Sequence, residues 1–265
     1  MSDQQKYTSK LHGSRILILG GTSGIGFCLA EACLESGASV TISSSNPDRI
    51  SSSIDRLKTS YPSASDRIKG VPCDLSSADT VEGELETLFK ETVKGNADGK
   101  LDHVVFTAGD ALSIIKVEEM SMQNILQAGQ IRFFAPLLLA KFLPTYLVKS
   151  HKSSYTVTTG SISEKPIPNW SVVASFAGGH HSMVRNLAID LKPIRVNAVS
   201  PGVVDTELWK MGKEEKEAFL KAIVEKIPTG VAGHPSDVAE SYLAILKDAN
   251  MNGSVVRTDG GGLLV

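Results

Sequence analysis

The segment that most constrains this chain is residues 15–26, RILILGGTSGIG. An apolar run typical of a buried β-strand breaks on glycines and restarts as a helical pattern. Such a strand–turn–helix unit directs the backbone N–H groups of the helix N-terminus toward a phosphate, so it indicates a dinucleotide site. Gly20, Gly24 and Gly26 have the spacing G-x-x-x-G-x-G. Gly20 permits the tight turn, and the other two let the helix approach a pyrophosphate closely.

The rest of the chain alternates between strand and helix patterns. Strands are predicted at 15–19, 38–43, 68–72, 101–107, 154–159, 194–199 and 254–258, and helices at 24–36, 47–59, 77–94, 119–149, 171–191 and 235–248. The strands are apolar nearly throughout, which is typical of a parallel sheet covered on both faces. We therefore expect an α/β fold of the Rossmann type, a doubly wound parallel sheet in a single domain over 1–265. Ligands of such sheets bind at the carboxyl ends of the strands.

Composition narrows the class of protein. A chain of 265 residues with 42% hydrophobic content can bury one sizeable core. The formal charge of −2 and the absence of a Lys/Arg run argue against a nucleic-acid or membrane-surface partner. No apolar run reaches membrane-spanning length and the N-terminus lacks the pattern of a signal peptide, so a cytoplasmic protein is expected. Cys28, Cys33 and Cys73 have no metal-ligand spacing and are interpreted as reduced thiols.

Residues 205–234 break the alternation. This stretch is charged and amphipathic, and it lies between Pro201 and a Pro/Gly-containing segment. It is interpreted as a helical lid over a substrate site. The alternative is a plain surface excursion.

Motifs along nearly the whole chain resemble those of the short-chain dehydrogenase/reductase family. After the glycine loop come Asp74-Leu75 at the end of the third strand and Thr107-Ala108-Gly109 at the end of the fourth. Ser161 follows the fifth strand at the position of the family's catalytic serine, RVNAVSPGVVDTEL at 195–208 matches the family's Pro-Gly motif, and DGGGLLV closes the chain. The resemblance implies an oxidoreductase that uses a nicotinamide cofactor.

The cofactor is expected to be NADP(H). Members that prefer NAD usually carry an acid at the end of the second strand, which hydrogen-bonds the ribose. Here Ser44, Ser45 and Asn46 stand there, with Arg49 one turn on, and such donors suit a 2′-phosphate. A polar turn with a helix cap before Pro47 is a compatible interpretation. The expected cofactor-binding residues are Gly20, Thr22, Ser23, Gly24, Ile25, Gly26, Ser44, Ser45, Asn46, Arg49, Asp74, Leu75, Ala108, Gly109, Val204 and Thr206.

The family's proton donor is missing from this sequence. The resemblance implies a Tyr general acid whose pKa is lowered by a Lys four residues later. None of the five tyrosines is followed by Lys at that spacing. Aligned without gaps from 185–191, the two positions hold Val173 and Ala177; a one-residue slip gives Ala174 and Gly178. Hydride addition to a cationic C=N⁺ tolerates this loss, because the product nitrogen needs no proton.

A divergent subgroup of the family shares this loss and a P-x-P-N-W segment, here 166–170. The subgroup includes fungal enzymes of prenylated indole alkaloid biosynthesis that reduce an iminium with NADPH and steer an intramolecular Diels–Alder closure. The resemblance places an Asp of those enzymes at Ile167 and their Arg at Arg132.

Three residues are expected at the catalytic centre: Arg132, Ser161 and Trp170. Trp170 walls the substrate pocket or is a core aromatic residue. Arg132 holds a substrate carbonyl or makes a structural ion pair, for example with Glu164. His180 and His181 could replace the lost acid, although packing in a subunit interface is the plainer interpretation.

The leading expectation is an NADPH-dependent reductase. It would act on an imine, an iminium or another activated intermediate of fungal secondary metabolism, with a heterocyclic substrate, and could also steer a [4+2] cycloaddition. The alternative is a catalytically silent NADP(H)-binding sensor or scaffold. The helices at 119–149 and 171–191 and the C-terminal segment resemble the family's interfaces, so a homotetramer is expected, with a homodimer as the alternative. No metal is expected.

Overall fold

Seven parallel strands form one sheet in the computed structural model, which describes residues 4–265. The strands are β1 (Arg15–Leu19), β2 (Ser39–Ser44), β3 (Ile68–Pro72), β4 (His103–Phe106), β5 (Ser154–Thr158), β6 (Arg195–Pro201) and β7 (Val255–Thr258). Their order is β3-β2-β1-β4-β5-β6-β7, so the chain changes direction across the sheet between β1 and β4. A crevice at the carboxyl ends of those two strands is the ligand site of sheets with this topology. The predicted Rossmann-type fold is confirmed.

Helices cover both faces of the sheet. They are α1 (Gly24–Glu35), α2 (Pro47–Ser60), α3 (Val81–Val93), α4 (Met122–Gly129), α5 (Ala135–Leu139), α6 (Leu143–Tyr146), α7 (Ser171–Asp190), α8 (Lys213–Val224) and α9 (Pro235–Lys247). Short 3₁₀ turns occupy Pro62–Arg67, Val117–Glu119, Ser161–Ser163 and Gly262–Leu264.

The sheet separates two clusters of buried hydrophobic residues, and strand β1 contributes side chains to both. Ile16 and Ile18 pack with residues of α1 and α9 on one face, and Leu17 and Leu19 pack with residues of α3, α5 and α7 on the other. Successive side chains of a strand point to opposite faces, and here both faces are apolar. This explains why the strand reads as a continuous apolar run in the sequence.

The single helix predicted at 119–149 is wrong. The structure divides this stretch into α4, a π-helical turn at Gln130–Phe134, α5 and α6. Pro136 and Pro144 lie in the first turns of α5 and α6. Proline has no N–H to donate to the carbonyl four residues earlier, so a continuous α-helix is interrupted at each of them. The π turn carries Arg132, and such turns are frequent at functional sites.

The segment 205–234 is helical only in part. Helix α8 covers Lys213–Val224, and none of its residues is buried. The residues before α8 form a loop, in which Asp205 pairs with Lys216 at 2.6 Å. The two ends of the segment are joined by an isolated β-bridge between Val204 and Gly233, outside the seven-stranded sheet.

Two features are absent from the part of the chain that the structure describes. No helix within 4–265 is both long enough and apolar enough to cross a membrane. No cluster of three or more His, Cys, Asp or Glu side chains in the same residues could hold a metal ion.

Candidate active site

A groove of about 600 Å³ lies at the carboxyl edge of the sheet. Of the sixteen residues expected to bind the cofactor, the structure brings fifteen together there: Gly20, Thr22, Ser23, Gly24, Ile25, Gly26, Ser44, Ser45, Arg49, Asp74, Leu75, Ala108, Gly109, Val204 and Thr206. The sixteenth, Asn46, does not line the groove. Its side chain caps α2 by accepting a hydrogen bond of 3.0 Å from the backbone N–H of Arg49. The helix-cap interpretation of Asn46 is therefore confirmed.

The glycine loop is closed to any side chain. A Cβ at Gly26 would lie 2.3 Å from the carbonyl oxygen of Gly20 and 2.5 Å from Oγ1 of Thr107. Gly20 has φ of 84°, a region that favours glycine, and a Cβ there would lie 2.6 Å from the backbone nitrogen of Ala108. The Ser23 side chain makes no cap at the start of α1. The first N–H groups of α1 therefore face the groove with no side-chain acceptor, as an anion site requires.

The end of β2 is polar without being acidic. Ser44 and Ser45 line the groove, and the exposed Arg49 lines it from the first turn of α2. The carboxylates of the groove come from other strand ends, namely Asp74 after β3, Asp110 after β4 and Glu207 after β6. A ribose phosphate near Ser44 would meet hydroxyl and guanidinium donors, which suits NADP(H) better than NAD(H).

A second cavity of about 450 Å³ joins the groove. Eight residues line both spaces: Thr107, Ala108, Arg132, Thr158, Thr159, Gly202, Leu208 and Trp209. Leu208, Trp209, Ile223, Lys226 and Ile227 bring the 205–234 segment against this cavity. A small molecule in the cavity and a dinucleotide in the groove would therefore meet at shared walls.

One face of α7 forms a wall of the cavity. Val173, Ala177 and His180 all line it, and their spacing of four and three residues puts them on the same side of the helix. The two positions that the ungapped alignment assigns to the family's Tyr and Lys thus face the cavity with apolar side chains. His180, for which packing was the plainer interpretation, also faces the cavity.

The tyrosines of the chain are engaged elsewhere. Within residues 4–265 none of the five lines the cavity. Tyr155 is fully buried and donates to the carbonyl of Pro136 at 2.8 Å. Tyr242 is fully buried too, with its hydroxyl 2.6 Å from Oγ1 of Thr158. Burial raises the pKa of both phenols, and neither side chain is placed to donate a proton to a ligand in the cavity.

Arg132 lies between the groove and the cavity. Its Nε donates to Oδ1 of Asp110 at 3.1 Å, and its Nη2 donates to the backbone carbonyl of Asp110. The expectation that Arg132 pairs with Glu164 is wrong, because the Glu164 carboxylate accepts three hydrogen bonds of 2.7–3.0 Å from Arg257. Burial lowers the pKa of Arg132, and Asp110 acts in the opposite direction. The guanidinium is thus charge-balanced at the junction of the two spaces.

The other two residues expected at the catalytic centre also line the cavity. Ser161 does so from the first position of its 3₁₀ turn, and Trp170 does so just before α7. Ile167 lines the cavity with 47% of its surface exposed. The loop between Ser161 and Trp170 is held by Asn169, which has φ of 68°. Its backbone carbonyl accepts a hydrogen bond of 3.1 Å from the N–H of Ile115.

Several residues of the cavity were not singled out from the sequence. Trp209 lines both spaces and donates from Nε1 to the carbonyl of Val204 at 2.9 Å. Lys165 and Lys226 also line the cavity, and Nζ of Lys165 donates to the carbonyl of Gly262 at 2.8 Å. Trp209 could have been singled out from the sequence, because it directly follows the 195–208 motif. The two lysines gave none, because an isolated surface lysine is ordinary.

Comparisons with known proteins agree with this geometry. The short-chain dehydrogenase/reductase family model described as "SDR-like rossmann domain" matches residues 7–265. The chain is 48% identical over 270 residues to the short-chain dehydrogenase/reductase fsr5 of Gibberella fujikuroi, and the match covers 100% of both chains.

Two solved structures extend the comparison. The MalC reductase/Diels–Alderase of Malbranchea aurantiaca superposes with a TM-score of 0.91 at 39% identity, covering 99% of this chain and 100% of MalC. A small-chain dehydrogenase in complex with NADPH superposes with a TM-score of 0.74 at 27% identity, covering 96% of this chain and 100% of that one. The chain therefore belongs to the short-chain dehydrogenase/reductase family.

Proposed function

We propose that this protein is an NADPH-dependent reductase that acts on an imine, an iminium or another activated unsaturated small molecule of fungal secondary metabolism. The observation that carries the proposal is the pairing of a groove that fits a dinucleotide with a joined cavity whose α7 wall bears Val173 and Ala177. The full-length similarity to the fungal fsr5 and to the MalC reductase/Diels–Alderase supports the biological setting.

NADP(H) is the proposed cofactor, and when bound it supplies a hydride. The glycine loop offers the close backbone approach that a pyrophosphate needs. Ser44, Ser45 and Arg49 offer donors to a ribose phosphate. The NADPH complex of the 27% identical neighbour supports this choice.

A cavity without a Tyr proton donor suits a cationic C=N⁺ acceptor better than a ketone. Reducing a ketone leaves an alkoxide that must gain a proton, whereas reducing an iminium leaves a neutral amine. The rings of Trp170, Phe176 and Trp209 line the cavity, and aromatic faces stabilise a desolvated cation. The charge of Arg132 is offset by Asp110, so this residue is free to orient the substrate by hydrogen bonding without repelling a cation.

A cycloaddition step has weaker support than reduction. The resemblance of the 166–170 segment implies an Asp where this chain has Ile167, and Ile167 cannot balance a cationic diene. We propose that the cavity binds and orients the reduced product, and that any [4+2] closure here depends on shape alone. Comparing the stereoisomer ratio of a cyclising product with and without the protein tests this point.

The function is tested by incubating purified protein and NADPH with matched cyclic iminium ions and ketones and following the loss of NADPH absorbance. Iminium reduction should exceed ketone reduction by at least tenfold. Equal rates would contradict the cation argument, and K165M and K226M variants would then show which ammonium group supplies the proton. Tight NADPH binding with no turnover of any acceptor would favour a silent NADP(H)-binding sensor or scaffold.

The 205–234 segment is proposed to act as a lid, because it covers the cavity with Leu208, Ile223 and Ile227 while leaving every residue of α8 unburied. Cofactor and substrate together should protect its amides from hydrogen exchange.

The protein is further proposed to be a homotetramer, since Met122 and Leu126 of α4 are at least half exposed and the C-terminal Leu264 is 83% exposed. Light scattering that shows a monomer at micromolar concentration would refute this assembly.

A further inference from the structure

A buried histidine of the cavity lacks a hydrogen-bond partner. His180 is only 3% exposed, and it lines the cavity from α7. Neither Nδ1 nor Nε2 has a hydrogen-bond partner among the described residues. A polar group removed from water without a partner is costly, so the substrate is the natural source of the missing bond.

The surroundings of His180 keep its ring neutral. The ring of Phe133 lies 5.6 Å away, centroid to centroid, and Phe176 lines the same cavity. Burial lowers the pKa of His180 to about 4, and the charges of His181 and Arg132 act in the same direction. A neutral imidazole has one N–H donor and one acceptor nitrogen.

A neutral His180 offers an acceptor in either tautomer. Whichever ring nitrogen carries the hydrogen, the other keeps a lone pair, and neither nitrogen has a partner among the described residues. The backbone of Arg132 raises the pKa of His180, but burial outweighs this effect. An O–H or N–H group of a ligand is therefore the complement of the acceptor nitrogen.

We propose that His180 is a specificity-determining residue that accepts a hydrogen bond from an O–H or N–H group of an otherwise apolar, ring-containing substrate. This inference rests on the proposed function only in treating the cavity as the substrate site. His180 lies about 10 Å along α7 from Val173 and about 4.5 Å from Ala177, from the rise of an α-helix. The recognised group thus lies well away from the position that the family alignment assigns to the proton donor.

The test uses a pair of probes that differ in one donor, 2-naphthol and 2-methoxynaphthalene. Their dissociation constants are measured by titration calorimetry with saturating NADP⁺. Wild type should bind the naphthol about 5- to 30-fold more tightly, as one hydrogen bond to a buried group predicts. His180→Phe should remove this preference while binding the methoxy compound as well as wild type does. His180→Gln, whose amide oxygen can accept, should restore part of the preference.

His181→Gln is the matched control. His181 is the neighbouring imidazole, does not line the cavity and contacts Oγ of Ser163 at 3.0 Å. It should leave the naphthol preference unchanged. If His180→Phe shows no cooperative thermal transition, His180→Leu takes its place.

Two outcomes overturn the inference: a wild-type protein that binds both probes equally, or an apolar variant at 180 that keeps the preference. Because the probes are bound and not turned over, a protein that reduces nothing can still show the preference. A working reductase can equally fail to show it, so the two proposals are tested separately.

Discussion

Nε of Arg132 donates to Oδ1 of Asp110 at 3.1 Å, and this pair fixes the guanidinium against the backbone at the end of β4. The fit is close, since a Cβ at Gly109 would lie 2.9 Å from Cζ of Arg132. The carboxylate neutralises the charge, and the shared walls of groove and cavity meet at this side chain. The geometry suits an orienting role better than an electrostatic one.

Replacing Arg132 by Ala should lower kcat/KM for the iminium acceptor by roughly 10- to 1,000-fold. The loss combines one charged hydrogen bond of about 1.5–3 kcal/mol with misorientation of the substrate. NADPH affinity measured by calorimetry should change much less. Asp110→Asn is the companion variant, because it keeps the shape while removing the partner charge. An Arg132→Ala enzyme with unchanged kcat/KM would remove Arg132 from the site.

Replacing Ser44 by Asp should reverse the cofactor preference from NADPH to NADH. The new carboxylate repels a 2′-phosphate and can accept hydrogen bonds from a free ribose diol. Titration of both cofactors against both proteins measures the change. Ser52→Asp adds the same charge on the exposed side of α2, outside the groove, and should leave the ratio unchanged. Wild type that binds NADH as tightly as NADPH would contradict the assignment of the β2 end.

Replacing Ser161 by Ala should reduce kcat/KM less than Arg132→Ala does. In a site with a Tyr and a Lys the serine supports a proton relay, and the described cavity has no Tyr to relay from. Ser163→Ala is the control, since Ser163 donates to the carbonyl of Gly160 at 2.8 Å and does not line the cavity. A Ser161→Ala enzyme without activity, beside an active Arg132→Ala enzyme, would assign substrate orientation or protonation to Ser161.

The stability of the fold should fall as the pH drops from 6.5 toward 4. Burial lowers the pKa of His103 and of His180 from 6.5 to about 4, with Arg195 adding to the effect at His103. Between these values the unfolded chain binds protons that the folded chain does not, so the free energy of unfolding rises with pH across this window. Urea unfolding at pH 7, 5.5 and 4.5 measures the slope. His180→Phe should flatten it by removing one of the contributing groups, and an unchanged slope would show that His180 contributes nothing.

Much of the groove was predictable because its signals are local in sequence. The glycine spacing, the strand ends and the 195–208 motif each place a few neighbouring residues at one edge of a parallel sheet. Once the alternation of strands and helices is recognised, those edges must come together. Asn46 shows the limit of this reasoning, since one polar residue at a strand end can cap a helix or face a ligand, and sequence alone does not choose.

The cavity was less predictable because its contacts are long-range. The pairing of Arg132 with Asp110 joins residues 22 positions apart, and it depends on a π turn that no periodicity signals. Lys165 reaches Gly262 across 97 positions. His180 was within reach of sequence reasoning, since Val173, Ala177 and His180 follow a helical spacing. The sequence left open whether this face meets a ligand or another subunit.

The glycine loop of the groove and the wall of the cavity differ in whether backbone or side chains form the surface. This difference decides which positions tolerate substitution. Where the glycine loop forms the groove, its wall is backbone, and a Cβ at Gly26 would lie 2.3 Å from a carbonyl oxygen. The cavity is formed largely by side chains from several separate parts of the chain, with Ile167, Val173, Ala177 and Trp209 among them. Saturation libraries at these four positions should therefore yield folded proteins that reduce other acceptors, whereas substitutions at the glycines should disrupt the groove.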